Sequence, residues 1–252
     1  MLRSVGALLI AGLVLTVGET SRAALLDTDG FENPTYTAGG LATQEGWTAS
    51  SAFNIVNNGA NAHSGSQYLE SSGSAGSIGA DNSFAESTEN EILMDGWFYV
   101  ASGTQWVDVQ LRDGDNSATF AALGFLSNHP DLPGFVNNIV YRQNPSLGGA
   151  YTALATYTPD SWFQIQVIAN DVANSPLGTY DVYLNGGLIG SNLLQRTNSA
   201  NSLGRISINA EPSVAGFRVD DLSISVVPEP NSLVLIGIGI SFGMLRIRRK
   251  RV

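Results

Sequence analysis

The chain has 252 residues, with 22 acidic against 12 basic side chains, two histidines and no cysteine, for a formal charge of −10. The missing cysteines exclude disulfides, thiol catalysis and thiolate metal sites. The acidic balance excludes nucleic acid as a partner, because a phosphate backbone needs clustered basic groups to neutralise it.

Residues 1–23 read as a signal peptide. Arg3 is followed by an apolar stretch from Val5 to Val17, and Ser21 and Ala23 are the small residues a signal peptidase needs for cleavage before Ala24. Residues 24–226 then form one exported domain, long enough for a sizeable core. Between Ala24 and Val227, five arginines (112, 142, 196, 205 and 218) stand against twenty acids, a balance of −15, and lysine is absent.

Short alternating runs between Gly, Asn and Asp punctuation predict strands rather than helices in this domain. Leu25–Leu26, Phe53–Val56 and Gln67–Ser71 are short strands, and Ser71–Ala80 is a Gly/Ser-rich loop. Ile92–Val100 is a long aromatic strand. In Trp106–Arg112, Val107, Val109 and Leu111 face one way while Asp108, Gln110 and Arg112 face the other. Strands follow at Thr119–Leu126, Asn138–Arg142 and Trp162–Ala169. Asn185-Gly186 supplies the positive φ values of a type I′ hairpin turn between Thr179–Leu184 and Leu188–Ile189. Arg205–Asn209 and Gly216–Val226 complete an antiparallel two-sheet sandwich of nine or more strands.

The last segment, residues 227–252, has three parts. Pro228, Glu229 and Pro230 give an extended, accessible stretch from Val226 onward, outside any sheet. Leu233–Leu245 is apolar and predicts a single transmembrane helix, short for a span unless Arg246 and Arg248 snorkel. Arg246, Arg248, Arg249, Lys250 and Arg251 form a basic tail that the positive-inside rule holds on the cytoplasmic side. This order of parts resembles the PEP-CTERM sorting signal of Gram-negative bacteria. The resemblance implies an exosortase as partner, passage through the inner membrane, then a place at the cell surface or in the extracellular matrix, in association with exopolysaccharide.

A second resemblance concerns the fold. Gly178–Gly186 resembles a hairpin of concanavalin/laminin-G-like jelly rolls. Gly30-Phe31-Glu32, Gly46-Trp47, His63–Ser66 and Val219–Leu222 resemble jelly-roll carbohydrate-binding modules. The expected fold class is therefore an all-β antiparallel jelly-roll sandwich, concanavalin-like or carbohydrate-module-like in connectivity. Asp27, Asp29 and Glu32 cluster near the first strand, and Asp220 and Asp221 sit on the last, so their oxygens form a candidate calcium set. The second family implies a structural calcium at Glu32 and Asp220 or Asp221, for which ordinary solvated acids, with Asp220 paired to Arg218 or Arg205, are the alternative.

Catalytic patterns are weak. Glu89 and Glu91 share one face of a strand, but the acids of a jelly-roll glucanase pattern are missing, and no Gly-x-Ser-x-Gly elbow occurs. His63 and His129 read as exposed loop histidines. Trp106 and Trp162 fall on the polar sides of their strands and are the carbohydrate candidates, with packing as the alternative for each. The sequence thus predicts a non-enzymatic, structural or adhesive envelope protein with polysaccharide as a partner. A surface-retained glycoside hydrolase and a passive matrix component are the alternatives.

Overall fold

The computed structural model describes residues 22–73, 78–127, 129, 132–143, 150–173, 178–197, 199–211 and 215–227. All but the last two residues of the predicted signal peptide (1–23), the Pro-Glu-Pro motif, the membrane helix and the basic tail lie outside them. Among the described residues, no helix is long and apolar enough to cross a membrane.

The described chain is all-β, with one 3₁₀ turn at Asp29–Phe31. Its sixteen strands are β1 (Ala24–Asp27), β2 (Gly39–Gly40), β3 (Trp47–Ala49), β4 (Phe53–Asn57), β5 (Gln67–Ser72), β6 (Ile78–Ser87), β7 (Glu91–Val100), β8 (Trp106–Arg112), β9 (Thr119–Leu126), β10 (Asn138–Arg142), β11 (Tyr151–Thr156), β12 (Trp162–Asn170), β13 (Thr179–Leu184), β14 (Gly187–Leu194), β15 (Leu203–Ala210) and β16 (Ala215–Val226). They form two antiparallel sheets. One runs β14-β13-β12-β7-β16-β5-β4-β2, with β1 also on β16, and the other runs β11-β10-β9-β8-β15-β6-β3.

The core lies between the sheets and follows the period-2 pattern. Ile92, Met94 and Phe98 of β7, Phe163, Ile165 and Val167 of β12, and Phe217, Val219 and Ile224 of β16 are buried from one side. Val107, Val109 and Leu111 of β8, Leu123 and Phe125 of β9, and Ile206 and Ile208 of β15 are buried from the other. Phe125 meets Phe98, Phe163 and Phe217 at ring distances of 5.5, 5.6 and 6.2 Å, so one aromatic cluster joins the two layers. Gly96 leaves room there: a Cβ would stand 3.0 Å from Leu222 Cδ1.

Three expectations are corrected. Val226 is not outside the sheet: it pairs with Ile92 as the last residue of β16, and Val227 donates its N–H to Glu91 O. The loop predicted over Ser71–Ala80 already contains the start of β6. That ten-residue strand is inserted between β3 and β15, and its polar sequence hid it. The Asn185-Gly186 turn has φ 49° and 77° as predicted, but β14 beyond it runs to Leu194 rather than stopping at Ile189.

Candidate functional site

Two places gather the polar side chains that the sequence singles out. The first is a corner where β16, the Asp29–Phe31 turn and the β4–β5 loop meet. It rests on a β-bulge in β16. Asp220 pairs with Trp97 but Ser223 pairs with Asp95, so one extra residue is accommodated, with Asp221 at φ 48°. The bulge keeps both Val219 and Leu222 in the core and turns two carboxylates toward the loop.

Asp220 is fully buried, and its Oδ2 accepts the N–H groups of His63 and Ser64 at 2.9 and 3.1 Å. Burial first, and then Asp221, push its carboxyl up to about 6. Asp221 accepts from Ser64 Oγ and lies 2.7 Å from His63 Nδ1. Glu32 accepts the N–H groups of Ser66 and Gln67 at 2.6 and 2.7 Å and the Ser66 hydroxyl at 2.9 Å. Although burial opposes it, these bonds hold the Glu32 carboxyl below its ordinary value. Gly65 has φ 58° and a Cβ there would sit 2.3 Å from Glu32 Oε1, so only glycine lets the carboxylate close over the loop.

Three motifs distant in sequence (Gly30-Phe31-Glu32, His63–Ser66 and Asp220-Asp221) therefore meet at this corner. The carboxylate oxygens of Glu32, Asp220 and Asp221 are already occupied by N–H and O–H donors, while Asp29 is exposed on the turn. Among the described residues, no group of three or more His, Asp or Glu side chains is arranged to hold a metal ion. In this arrangement the acids clamp the loop onto the end of the sheet.

His63 is not a free loop histidine. It stacks on Trp97 at 3.7 Å and meets the edge of Trp162 at 6.0 Å. Trp162 in turn donates Nε1–H to Asn61 O and packs among Tyr68 and Tyr99. Of the two predicted carbohydrate tryptophans, this one serves packing on the outer face of the nine-stranded sheet.

The second place is a groove of about 830 Å³ on the outer face of the seven-stranded sheet. Alternation along β8 sends Trp106, Asp108, Gln110 and Arg112 into it, as the sequence predicts for that face. Register brings in Asn209 of β15 opposite Asp108, and Tyr151 of β11 opposite Arg142 of β10. Gly124 on β9 keeps the floor low between them, since a Cβ there would meet Val140 Cγ2 at 3.0 Å and Trp106 Nε1 at 3.8 Å. His129, Leu132 and Glu211 form one wall, where His129 Nε2 and Glu211 Oε1 are 2.6 Å apart. His129 is thus half-buried beside a partner, again unlike the exposed histidine expected. A smaller recess of about 210 Å³, lined by Gln110, Thr119, Arg142 and Arg196, adjoins the groove through the shared Gln110 and Arg142.

Polar groups in the groove are pre-positioned. Asp108 accepts from Gln110 Nε2 at 2.7 Å and Asn209 Nδ2 at 3.0 Å. Burial raises its carboxyl above the ordinary value, against those bonds and the nearby Arg142 and Arg112. Arg142 lies 5.5 Å over the Tyr151 ring. The Nε groups of Arg112 and Arg142 and the indole nitrogen of Trp106 are buried without a hydrogen-bond partner. Sequence reasoning found Trp106. It missed Arg142, His129, Tyr151 and Glu211, which come from other elements and carry no local motif.

Glu89 and Glu91 lie outside this groove. Both are exposed, and Glu91 opens β7 in the other sheet.

No curated protein matches the chain. Among solved structures it is similar to the alginate lyase Aly36B bound to alginate trisaccharide, at TM-score 0.54 and 11% identity over 82% of this chain and 99% of that one. An endo-β-1,4-glucuronan lyase from the fungus Trichoderma reesei gives TM-score 0.50 and 14% identity over 81% and 96%. A sialidase gives 0.54 and 11% over 82% of this chain, which spans only 18% of that protein. At these identities the likeness is one of fold, a jelly-roll-type sandwich. Residues 226–250 match the family model of the PEP-CTERM protein-sorting motif, and the chain carries that sorting signal behind its β-sandwich.

Proposed function

We propose that this is an exported surface protein, sorted outward by an exosortase through its PEP-CTERM tail, whose β-sandwich binds polysaccharide in the groove on the seven-stranded sheet without cleaving it. The groove carries the reading. It is long and open, and it sets the aromatic side chains of Trp106 and Tyr151 among the amides of Gln110 and Asn209 and the guanidinium groups of Arg112 and Arg142. Sugar rings are recognised by that mixture of apolar faces and fixed polar groups. The alginate lyase, glucuronan lyase and sialidase of similar fold are consistent with this reading, although the likeness extends to fold alone.

The non-enzymatic part draws on the surroundings of the acids. Of the pair a hydrolase reading would use, Glu91 is the exposed first residue of a strand in the other sheet and Glu89 lies exposed in the connection before it. Within the groove, Asp108 is held by two amides and Glu211 lies against His129.

The test is affinity electrophoresis of the full-length chain through gels containing a panel of neutral and acidic polysaccharides, followed by assay of the same polymers for cleavage. Retardation by at least one polymer is expected, with Trp106→Ala weakening it by about 3- to 10-fold and no product formed. Cleavage lost in Asp108→Asn or Glu211→Gln would establish an enzyme instead. No retardation by any polymer would leave a matrix component without a sugar ligand.

A further inference from the structure

The placement of positive charge in an otherwise acidic domain is unusual. Of the five arginines between residues 24 and 227, Arg218 alone is used on the nine-stranded sheet. There it pairs with Glu70 at 2.8 Å and lies over the rings of Tyr99 and Tyr68. The other four lie on or beside the outer face of the seven-stranded sheet. Arg112 and Arg142 line the groove, Arg142 and Arg196 line the adjoining recess, and Arg205 is the cross-strand partner of Arg112.

This clustering opposes stability. Like charges directly opposite on neighbouring strands repel, and Arg196 is held below the ordinary arginine value first by burial and then by Arg142. The domain has twenty acids from which to relieve the repulsion. Even so, among the described residues none of these four arginines has a carboxylate within ion-pairing distance, the three pairs being His63–Asp221, His129–Glu211 and Arg218–Glu70. The Nε groups of Arg112, Arg142 and Arg205 are buried without any acceptor. A buried donor without a partner costs about 1–3 kcal/mol, and an anion placed against the guanidinium groups that line the groove and recess would offset their mutual repulsion.

We infer that the polysaccharide taken by this groove is anionic, a uronate-bearing polymer whose carboxylates are received by Arg112, Arg142 and Arg196 while its rings lie on Trp106 and Tyr151. The inference rests on the polysaccharide reading of the groove. Arginine's planar fork matches a carboxylate with two parallel hydrogen bonds, which a lysine cannot supply. Because the groove and recess lie side by side and share Gln110 and Arg142, they suit a chain with repeated carboxylates rather than one small anion. Nucleic acid fits less well. Its duplex carries about one charge per 1.7 Å, which the −15 of the surrounding domain repels, whereas a polyuronate spreads one charge per sugar ring.

The experiment compares binding of the full-length chain to alginate, to the same alginate with its carboxyl groups chemically reduced to alcohols, and to single-stranded DNA. Alginate is expected to bind at least about tenfold more tightly than its reduced form, more weakly as salt is raised. Arg142→Gln and Arg112→Gln should each lose about tenfold, whereas Arg218→Gln on the other sheet leaves binding unchanged. Melting temperatures of the groove variants should match or exceed the parent's, since a repulsion is removed. If one variant fails to fold, the other variant and the salt titration read the same quantity.

Equal affinity for both forms of alginate, still lost in Trp106→Ala, would overturn the anionic assignment and leave the groove reading standing. No binding to either form, or to any polymer of the panel, would overturn both. DNA binding as tight as alginate binding would overturn the assignment to a sugar acid.

Discussion

At the scale of single residues, Asp108 decides how the groove responds to pH. Its carboxyl is buried and raised above the ordinary aspartate value, so the folded state holds the proton more tightly than the unfolded chain does. The stability this adds is fully present below the unfolded value of about 4 and is lost as pH rises through the folded one. Asp108→Asn removes that loss while keeping an oxygen to accept from Asn209. The variant is expected to melt above the parent at pH 7, with the gap closing as pH falls toward about 4; thermal melts across that range check it. An unchanged gap would mean that Asp108 is ionised in both states. Much at this scale could not be read from the sequence. His63 and His129 sit in loops without metal-binding spacing, and only the fold brings Asp221 and Trp97 to one and Glu211 to the other.

At the scale of elements, legibility followed alternation. β8 and β12 were predicted residue by residue because every second side chain is apolar, and the hairpin after β13 because Asn-Gly has few other uses. β6 was hidden: Ile-Gly-Ala-Asp-Asn-Ser carries too little apolar signal, and the strand is held by pairing with β3 and β15 and by Ser207 Oγ on Asp81. The edge strand β11 is likewise half-exposed along its length and was not predicted. One glycine shows how closely such elements approach. In Gly204, at the register shift between β15 and β6, a Cβ would stand 2.8 Å from Gly114 Cα, which is backbone and cannot rotate away. Gly204→Ala is expected to destabilise the fold by about 1–3 kcal/mol, read from chemical denaturation. A neutral result would show that the Asp113–Asn116 turn yields freely.

At the scale of the whole molecule, the sequence shows a sorting signal and an all-β sandwich, and the structure adds which face is equipped to work. The two outer faces differ in kind. On the nine-stranded sheet, Trp97, Trp162, Tyr68 and Tyr99 pack against one another and against His63 and Arg218, so their surfaces are used within the chain. On the seven-stranded sheet, the Trp106 indole nitrogen and three arginine Nε groups have no hydrogen-bond partner among the described residues. Composition concealed this contrast, because a net charge reports the sum over a domain and not its division between faces. The most direct measurement is hydrogen-exchange footprinting of the full-length chain with and without a saturating acidic polysaccharide. Slowed exchange is predicted in Trp106–Arg112, Asn138–Arg142 and Tyr151–Thr156. Slowing confined to the strands carrying Trp97 and Trp162, with the groove strands unaffected, would contradict the account.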